Sequence, residues 1–254
     1  MNEADKKIEQ FKEIIENSKN IVFMGGAGVS TESGVPDFRG EKGLWNAKTR
    51  LNRSPEEIVS HTFFLNRTDD FYEYYMNNLI FPGVKPNTTH YALAKLEEQG
   101  KVRAVVTQNI DGLHQAAGSK VVYELHGSIA RSYCTKCGKT FSLEYTLDES
   151  HRHKGSYTPR CDVCDGVLKP DAVLYEEGLD DRVMAGAMAA ISSADTLIVG
   201  GTSLVVYPAA GLIRYFRGKD IVLINMQETP YDSMASLVIH DSLGKVFKNV
   251  VEGV

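Results

Sequence analysis

The chain has 254 residues, of which 43% are hydrophobic and 24% are charged, and its formal net charge is −5. This length suits one large domain, or a large domain with a smaller one, and the composition is ordinary for a soluble globular protein. The negative balance argues against general nucleic-acid binding, which usually needs a basic field. No apolar run approaches the roughly 20 residues of a membrane span, and the charged N-terminus lacks a signal-peptide core. We therefore expect a cytoplasmic protein without membrane or nucleic-acid partners.

The predicted elements alternate between helices and buried strands. Apolar residues recur at a helical period over residues 5–17, and the first strand is predicted at 21–24. Further strands are predicted from apolar runs at 102–106, 121–125, 196–199 and 221–224, and further helices at 92–99, 181–192 and 209–215. This alternation predicts an α/β fold with a parallel sheet covered by helices on both faces.

Two segments depart from the alternation. Residues 41–85 are rich in aromatic side chains and are predicted to be helical, whereas residues 131–167 contain the cysteines and few other apolar residues. We interpret both as insertions that build a small domain. The large domain would then consist of residues 1–40, 86–130 and 168–254, within a single unit of 254 residues. The cleft between the two domains is the expected place for a second substrate.

All four cysteines occur in two Cys-x-x-Cys pairs, Cys134/Cys137 and Cys161/Cys164, with 23 residues between the pairs. Two such knuckles can place four thiolates tetrahedrally around one Zn²⁺ ion. Disulfide bonds are the alternative, and the expected reducing compartment disfavours them. Because four sulfur ligands leave no open coordination position, the spacing predicts one structural zinc ion.

The segment Gly26-Ala27-Gly28-Val29-Ser30 directly follows the first predicted strand. A strand that ends in glycines offers backbone N–H groups to an anion, so this segment is a candidate nucleotide site. The dinucleotide fingerprint requires a third glycine at position 31, where this chain has threonine, and such a segment is often only a turn. Nearby, Asp37, Phe38 and Arg39 add an acid, an aromatic ring and a cation.

The other predicted strands also end in small or polar residues. The strand predicted at 102–106 is followed by Gln108, Asn109 and Asp111, and the strand at 121–125 by His126 and Gly127. The strand at 196–199 is followed by Gly201, Thr202 and Ser203, and the strand at 221–224 by Asn225. In open α/β sheets, ligands bind at the carboxyl ends of the strands, so these ends together favour a cofactor site. Imidazole titrates near neutral pH, which suits His126 as a base, although a lone histidine is more often structural. Asn and Asp are also common in plain turns.

Taken together, these motifs resemble the sirtuins, the NAD-dependent protein deacylases. The resemblance extends from about residue 20 to 240 and rests on Gly26–Ser30, Gly34–Arg39, Thr107–His114, Leu125–Gly127, both cysteine pairs, Lys169–Asp171, Gly201–Leu204 and Ile224–Asn225. It implies a Rossmann-like doubly wound parallel sheet with a smaller zinc-binding domain formed by insertions. The implied activity is NAD-dependent deacetylation of protein lysine, with transfer of the acetyl group to ADP-ribose and release of nicotinamide and O-acetyl-ADP-ribose. The compact length resembles bacterial or archaeal members.

The resemblance also implies a role for each matching residue. His126 would take a proton from a ribose hydroxyl of NAD, with Asn109 and Asp111 beside it as further catalytic residues. The implied cofactor-binding residues are Gly26, Ala27, Gly28, Ser30, Asp37, Phe38, Arg39, Gln108, Asn109, Asp111, Gly201, Thr202, Ser203 and Asn225. Since no arginine follows Asn225, a 2′-phosphate lacks an obvious partner, which favours NAD over NADP.

Acetylated protein substrates are expected to bind as an extended peptide that pairs with the backbone of Val173, Leu174 and Tyr175. Glu176 stands where the family has glycine; its carboxylate either favours basic flanks on the peptide or faces solvent, and we expect the second. Sirtuins that prefer succinyl-lysine carry a tyrosine and, three residues later, an arginine. Here Tyr75 stands three residues after a tyrosine. The resemblance therefore implies acetyl or other neutral acyl groups, since a buried carboxylate without a cation is costly.

Two other functions stay open from the sequence. A protein ADP-ribosyltransferase would use the same fold to pass ADP-ribose to a side chain, and His126 together with the full set of motifs favours deacylation instead. A zinc-dependent interaction module without catalysis would account for the cysteines. The net charge of −5 and the polar strand ends disfavour that module.

Overall fold

The computed structural model describes residues 2–37 and 51–251, so Phe38 and Arg39 lie outside the described residues. Its strands are β1 (Ile21–Gly25), β2 (Val102–Thr107), β3 (Val122–Glu124), β4 (Arg131–Cys134), β5 (Thr140–Ser142), β6 (Leu168–Pro170), β7 (Thr196–Gly200), β8 (Asp220–Ile224) and β9 (Leu237–Ile239). The large sheet has the order β3, β2, β1, β7, β8, β9, and every pair of neighbours is parallel. The strand order reverses between β1 and β7, as in a doubly wound α/β fold.

The α-helices are α1 (Glu3–Asn17), α2 (Pro55–Ile58), α3 (His61–Asn66), α4 (Thr68–Asn78), α5 (Thr88–Glu98), α6 (Leu113–Ala117), α7 (Leu143–Leu147), α8 (Asp181–Ser193) and α9 (Leu243–Val251). Side-chain caps fix where several of them begin. The Asn2 side chain accepts a hydrogen bond from the backbone of Asp5 at the start of α1, and the Asp180 side chain accepts two at the start of α8. Each cap satisfies N–H groups that have no partner within the helix.

Helices cover both faces of the large sheet. Phe23 of β1 points to the face where Phe11 of α1, Leu93 of α5 and Phe247 of α9 are buried. The neighbouring side chains of β1 point to the opposite face, where Ile191 of α8 is buried. Because successive side chains of a strand point to opposite faces, a continuously apolar strand such as β1 must be buried on both. The predicted α/β class is thereby confirmed.

A separate apolar core lies in the helical segment after residue 51. We call it the aromatic cluster: Ile58, Phe63, Phe64, Phe71, Tyr72, Tyr75, Leu79, Ile80, Ile129 and Leu174, with the half-buried Val59 and Ile110 packed against it. Rings of Phe64, Phe71 and Tyr72 meet edge to face, at centroid distances of 5.1 to 6.4 Å. Within the described part of the predicted insertion, three helices span Pro55–Ile58, His61–Asn66 and Thr68–Asn78, and residues 79–85 are not helical.

The cysteine segment forms a small antiparallel sheet with the order β5, β4, β6. Strand β6 lies just beyond the predicted end of the insertion at residue 167, yet it pairs with β4. Backbone hydrogen bonds from His61 to Tyr175 (2.9 Å) and from Tyr175 to Val59 (3.0 Å) also tie the helical insertion to the segment after β6. The domain boundaries themselves remain a prediction.

Several elements were not predicted from the sequence, namely β4, β5, β6 and β9 and the helices α6, α7 and α9, and one predicted helix has a different form. Strand β9 was not predicted; it spans only three residues at the sheet edge, too few to give a clear periodicity. The predicted helix at 209–215 is a 3₁₀-helix, Ala209–Tyr215. Within the described ranges, no helix is both long and apolar enough to cross a bilayer.

Candidate active site

The candidate site lies where the order of the large sheet reverses. Gly25 of β1 pairs with Gly200 of β7, and the backbone segments that follow these two glycines remain in close contact. The N–H of Gly28 donates to the carbonyl of Gly201 at 2.8 Å. A Cβ on Gly28 would lie 2.7 Å from the Gly201 Cα, so only glycine permits this approach. Ligands of open α/β sheets bind at such a switch point.

A cavity of about 820 Å³ opens at this point. It is lined by most of the residues predicted from the sequence: Gly26, Ala27, Gly28, Asp37, Gln108, Asn109, His126, Val173, Leu174, Tyr175, Gly201, Thr202, Ser203 and Asn225. The strand ends that are far apart in the sequence are thus brought together around one space. Ser30 and Asp111, also predicted to bind cofactor, are not part of this lining.

His126 is held in one tautomer by the backbone. Its Nδ1 lies 2.9 Å from the carbonyl oxygen of Gln108, and because a carbonyl can only accept, Nδ1 carries the proton. Nε2 of the neutral ring is then a hydrogen-bond acceptor on a side chain that lines the cavity. Burial lowers the pKa of His126 below its ordinary value, and the bond to Gln108 opposes this shift in part. The ring is therefore neutral at neutral pH and can accept a proton.

Asn109 is positioned by a network behind the cavity wall. Its Nδ2 donates to the Ser30 hydroxyl at 3.0 Å, and that hydroxyl donates to Asp111 Oδ2 at 2.7 Å. Asp111 Oδ1 in turn accepts the N–H of Leu113 at 2.9 Å. Ser30 is 1% exposed and Asn109 is 7% exposed, so these polar groups depend on one another for hydrogen bonds. Through these hydrogen bonds, Ser30 and Asp111 hold the Asn109 side chain in position.

Two buried histidines lie beyond this network, and sequence reasoning did not single them out. The rings of His90 and His114 are 4.7 Å apart, and both are buried. Neither nitrogen of His114 has a hydrogen-bond partner within the described residues. Burial lowers the pKa of His90 to about 4 and that of His114 to about 3. Both rings are thus neutral near pH 7.

The backbone of the predicted peptide-binding segment is already largely hydrogen-bonded. The N–H groups of Val173, Leu174 and Tyr175 donate to the His126 carbonyl (2.8 Å), the Glu177 carboxylate (2.9 Å) and the Val59 carbonyl (3.0 Å), respectively. The Val173 carbonyl has no partner within the described residues. The segment therefore offers a peptide one backbone acceptor rather than a whole strand edge.

The side chains of Glu176 and Glu177 connect this segment to neighbouring elements by hydrogen bonds and ion pairs. Glu177 bonds to His61 at 2.7 Å and to Lys169 at 2.9 Å, and Lys169 is 7% exposed in its side chain. Glu176 has a φ of 75°, in the left-handed region that favours glycine. The residue is exposed and also lines the cavity, and its carboxylate accepts the backbone N–H of Thr62 at 2.8 Å.

The four cysteine sulfurs fit a single zinc ion. They are all free thiols and lie within 4.8 Å of one another, with Cys134 and Cys164 3.5 Å apart and Cys137 and Cys161 3.7 Å apart. A tetrahedron with Zn–S bonds of about 2.3 Å has sulfur–sulfur edges of about 3.8 Å. A disulfide would require about 2.05 Å. The four cysteines are therefore positioned to bind one zinc ion.

The cavity also has lining residues that the sequence prediction missed. One group, Val206, Tyr207 and Pro208, follows the polar end of β7, and the apolar run Leu204–Tyr207 in the sequence was the available signal. Another group, Tyr75 and Leu79, comes from α4 and the residue after it. Leu79 was predicted only as part of a helical insertion, whereas the resemblance had already connected Tyr75 with the choice of acyl group.

Comparison with known proteins agrees with this geometry. The sequence model described as the Sir2 family matches residues 26–208. A curated relative from Clostridium acetobutylicum named NAD-dependent protein deacetylase is 60% identical over 245 residues, which cover 96% of this chain and 98% of the relative. The chain belongs to the Sir2 family.

Solved structures with the same fold include complexes with peptides and NAD-derived ligands. A Sir2 variant with a deacetylated p53 peptide and 3′-O-acetyl ADP ribose matches with a TM-score of 0.86 and 37% identity, over 97% of this chain and 98% of that one. Sir2 with a p53 peptide and NAD⁺ matches with a TM-score of 0.84 and 37% identity, again over 97% and 98%. At this identity and coverage, the chain shares the fold of these structures, and in this chain the Rossmann-like sheet is accompanied by a small domain whose four cysteines are positioned for zinc.

Proposed function

We propose that this chain is an NAD-dependent protein lysine deacetylase that transfers the acetyl group of acetyl-lysine to ADP-ribose. The observation that carries the proposal is the cavity at the strand switch, with a neutral histidine of fixed tautomer on its wall. Family membership and the curated relative of that name support the same activity. The Sir2 structure with a deacetylated peptide and 3′-O-acetyl ADP ribose supports O-acetyl-ADP-ribose as the product.

The cavity suits a dinucleotide in size and chemistry. The glycines at 26, 28 and 201 let a ligand approach the backbone closely, although their own N–H groups already donate within the chain. Thr202, Ser203 and Asn225 add hydroxyl and amide groups for phosphate and ribose. When bound, NAD supplies an electrophilic ribose carbon, because nicotinamide is a good leaving group, and the ribose hydroxyls that accept the acetyl group. Phe38 and Arg39 remain predicted cofactor contacts outside the described residues.

His126 acts as the general base in this proposal. Its Nε2 accepts the proton of a ribose hydroxyl, while the Gln108 carbonyl stabilises the imidazolium that forms at Nδ1. Asn109 offers its amide group to the carboxamide or ribose of the cofactor from the cavity wall. Ser30 and Asp111 keep Asn109 in place, so the role of Asp111 is to position Asn109 rather than to contact the reacting atoms.

The substrate peptide is proposed to lie between two segments that line the cavity. On one side, the unpartnered Val173 carbonyl can accept an N–H of the substrate. On the other side, Val205 has no backbone hydrogen bond within the described residues and is 50% exposed, so it can pair with an extended peptide. Backbone pairing of this kind tolerates many peptide sequences, which suits a protein deacetylase.

The zinc ion has a structural role in this proposal. Four thiolates complete its coordination, so it stabilises the small domain and takes no part in the reaction. A cytoplasmic location, and the lack of membrane and nucleic-acid partners, stay predictions from composition and cysteine usage.

The activity can be tested with purified protein, an acetyl-lysine peptide and NAD, with products read by mass spectrometry. We expect deacetylated peptide, nicotinamide and O-acetyl-ADP-ribose in equal amounts, and none without NAD. His126→Ala should lower the rate by about 10²- to 10⁴-fold, the usual contribution of a general base. Protein carrying ADP-ribose would instead support the transferase alternative. Failure to release nicotinamide with any acylated peptide would refute the proposal.

A further inference from the structure

The segment proposed to bind the peptide ends in a tight turn. The N–H of Glu177 donates to the Leu174 carbonyl at 3.0 Å, which closes a turn over residues 174–177. Glu176, the third residue of this turn, has a φ of 75°, a conformation that favours glycine at this position. Two residues span at most about 7 Å, so Glu176 lies close to Leu174 and to its neighbour Val173. The Val173 carbonyl is the proposed acceptor for an N–H of the substrate.

The Glu176 side chain can be reached from the cavity. The residue is exposed and is part of the cavity lining. Hydrogen bonds from Thr62 hold the pKa of Glu176 below its ordinary value, and the charge of His61 lowers it further, so the carboxylate is ionised at neutral pH. His61 itself pairs with Glu177 at 2.7 Å. Among the described residues, no lysine or arginine forms an ion pair with Glu176.

Two other carboxylates on the cavity wall already have a cation of the protein. Glu177 pairs with Lys169 at 2.9 Å, and Asp241 pairs with Lys245. No lysine or arginine is among the described residues that line the cavity. A lysine or arginine side chain that approaches Glu176 from inside the cavity must therefore belong to a ligand.

We infer that Glu176 makes the chain prefer protein substrates with an arginine or a lysine one or two residues from the acetyl-lysine. This inference rests on the proposed deacetylase function and names a class of peptide for the same site. A peptide that donates an N–H to the Val173 carbonyl runs past the turn, and each of its residues advances it by about 3.3 Å. Side chains within two residues of the modified lysine therefore come near Glu176. From the sequence we expected this carboxylate to face solvent, and its place on the cavity wall favours the other alternative.

A purely local role for Glu176 is the competing explanation. Its carboxylate accepts the N–H of Thr62 at 2.8 Å, at the start of α3, and this bond alone would account for an acid at the position. Glutamine separates the two roles, because its side-chain oxygen can still accept the Thr62 N–H but carries no charge. Exposed ion pairs contribute little and are screened by salt, so the expected effect is a modest, salt-dependent choice between peptides.

The test compares acetyl-lysine peptides of one sequence that carry either arginine or citrulline at one position, from two residues before to two residues after the acetyl-lysine. Citrulline has nearly the same shape as arginine without the charge. For wild type at about 0.01 M ionic strength, we expect kcat/KM at the best position to be about threefold higher for arginine, with no difference at about 1 M. Glu176→Gln should bring the low-salt ratio to about one. Glu149→Gln removes the same charge at an exposed position outside the cavity lining and should keep the wild-type ratio.

A wild-type ratio of one at all four positions overturns the inference, as does a ratio that Glu176→Gln leaves unchanged. Thermal unfolding checks that this variant is folded. If it is not, Glu176→Gly takes its place, since glycine suits the turn, and its ratio should also be about one. Peptide affinities measured without NAD should show the same ratios as kcat/KM. Absence of NAD-dependent turnover of every acetyl peptide would refute the proposed function, whereas the affinities would still test the role of Glu176.

Discussion

The Gln108 carbonyl and the His126 ring are joined by a hydrogen bond of 2.9 Å that fixes which imidazole nitrogen is the base. The two residues lie just beyond the ends of the neighbouring strands β2 and β3, so the pairing of these strands brings them together. The bond also favours the protonated ring, whereas burial favours the neutral ring, and burial is the larger of the two effects on the pKa.

The acid limb of the pH profile of kcat/KM should therefore lie at a low pH. A base must be neutral to act, so kcat/KM should fall only as the pH drops through the lowered pKa of His126, below the ordinary value of 6.5. The measurement is kcat/KM for an acetyl peptide and NAD between pH 5 and 9. His153→Ala, at an exposed position outside the cavity lining, serves as the control and should leave the profile unchanged. An acid limb centred above 6.5 would contradict the assignment of His126 as a buried base.

Acyl groups with a carboxylate should be poor substrates. No lysine or arginine is among the described residues that line the cavity, while Glu32, Asp37, Glu176, Glu177 and Asp241 are. A buried carboxylate without a cation costs about 3–5 kcal/mol, so succinyl-lysine should react at least about 100-fold more slowly than acetyl-lysine. A lysine carrying the neutral succinamide analogue has the same shape without the charge, and it should react faster than the succinyl peptide. Equal rates for the succinyl and acetyl peptides would disprove the prediction.

Much of this site could be predicted because its chemistry is concentrated at strand ends. Parallel strands place their carboxyl ends together, so Gly28, Asn109, His126 and Gly201 could be assigned to one edge without knowing any distance. The cysteine spacing was sufficient for the zinc site for a similar reason, since four thiolates in two short loops have few other stable arrangements.

The rest depends on contacts between segments that are distant in the sequence. Ser30 and Asp111 are 81 residues apart, and only the packed fold shows that they bond to each other instead of lining the cavity. Tyr72 and Tyr75 occur in the same helical pattern, and only the structure distinguishes the hydroxyl that has a partner from the one that lacks it. Periodicity reports which face of an element is buried, but it does not report which buried polar group is satisfied.

Loss of one zinc ligand should destabilise the small domain. Cys134→Ala should lower zinc content from one ion per chain to well below one, and it should lower the unfolding temperature, because the binding energy of a structural metal is folding energy. Metal analysis and thermal unfolding measure the two effects. Lys154→Ala, in the exposed loop between the cysteine pairs, should change neither. A Cys134→Ala protein with full zinc content and wild-type stability would show that Cys134 is not a ligand.

The close approach of Gly28 and Gly201 should be sensitive to one added carbon. In Gly28→Ala the new Cβ would lie 2.7 Å from the Gly201 Cα and 2.9 Å from its carbonyl oxygen, so backbone must move. Overpacking of this kind costs about 1–3 kcal/mol, and the displaced loop should also bind NAD more weakly. In the control Gly211→Ala, the nearest atom would be 3.7 Å away, an ordinary contact. Denaturant unfolding and NAD titration should separate the two variants; equal behaviour would show that the loops are not closely packed.

The buried pair His90 and His114 should make the protein sensitive to acid. Burial holds both pKa values low, at about 4 and about 3, so the native rings stay neutral where the unfolded chain gains protons. The free energy of unfolding should therefore decline as the pH falls below 6.5, by about 1.4 kcal/mol per pH unit for each histidine, until about pH 4. His114→Leu removes one of the two side chains that take up a proton on unfolding. The slope of the free energy of unfolding against pH, between pH 6 and 4.5, should therefore decrease by about half of the pair's contribution. His153→Leu removes an exposed histidine and should leave the slope nearly unchanged. If His114→Leu has the wild-type slope in urea unfolding, His114 is protonated in the native state and the pair is not the origin of the acid sensitivity.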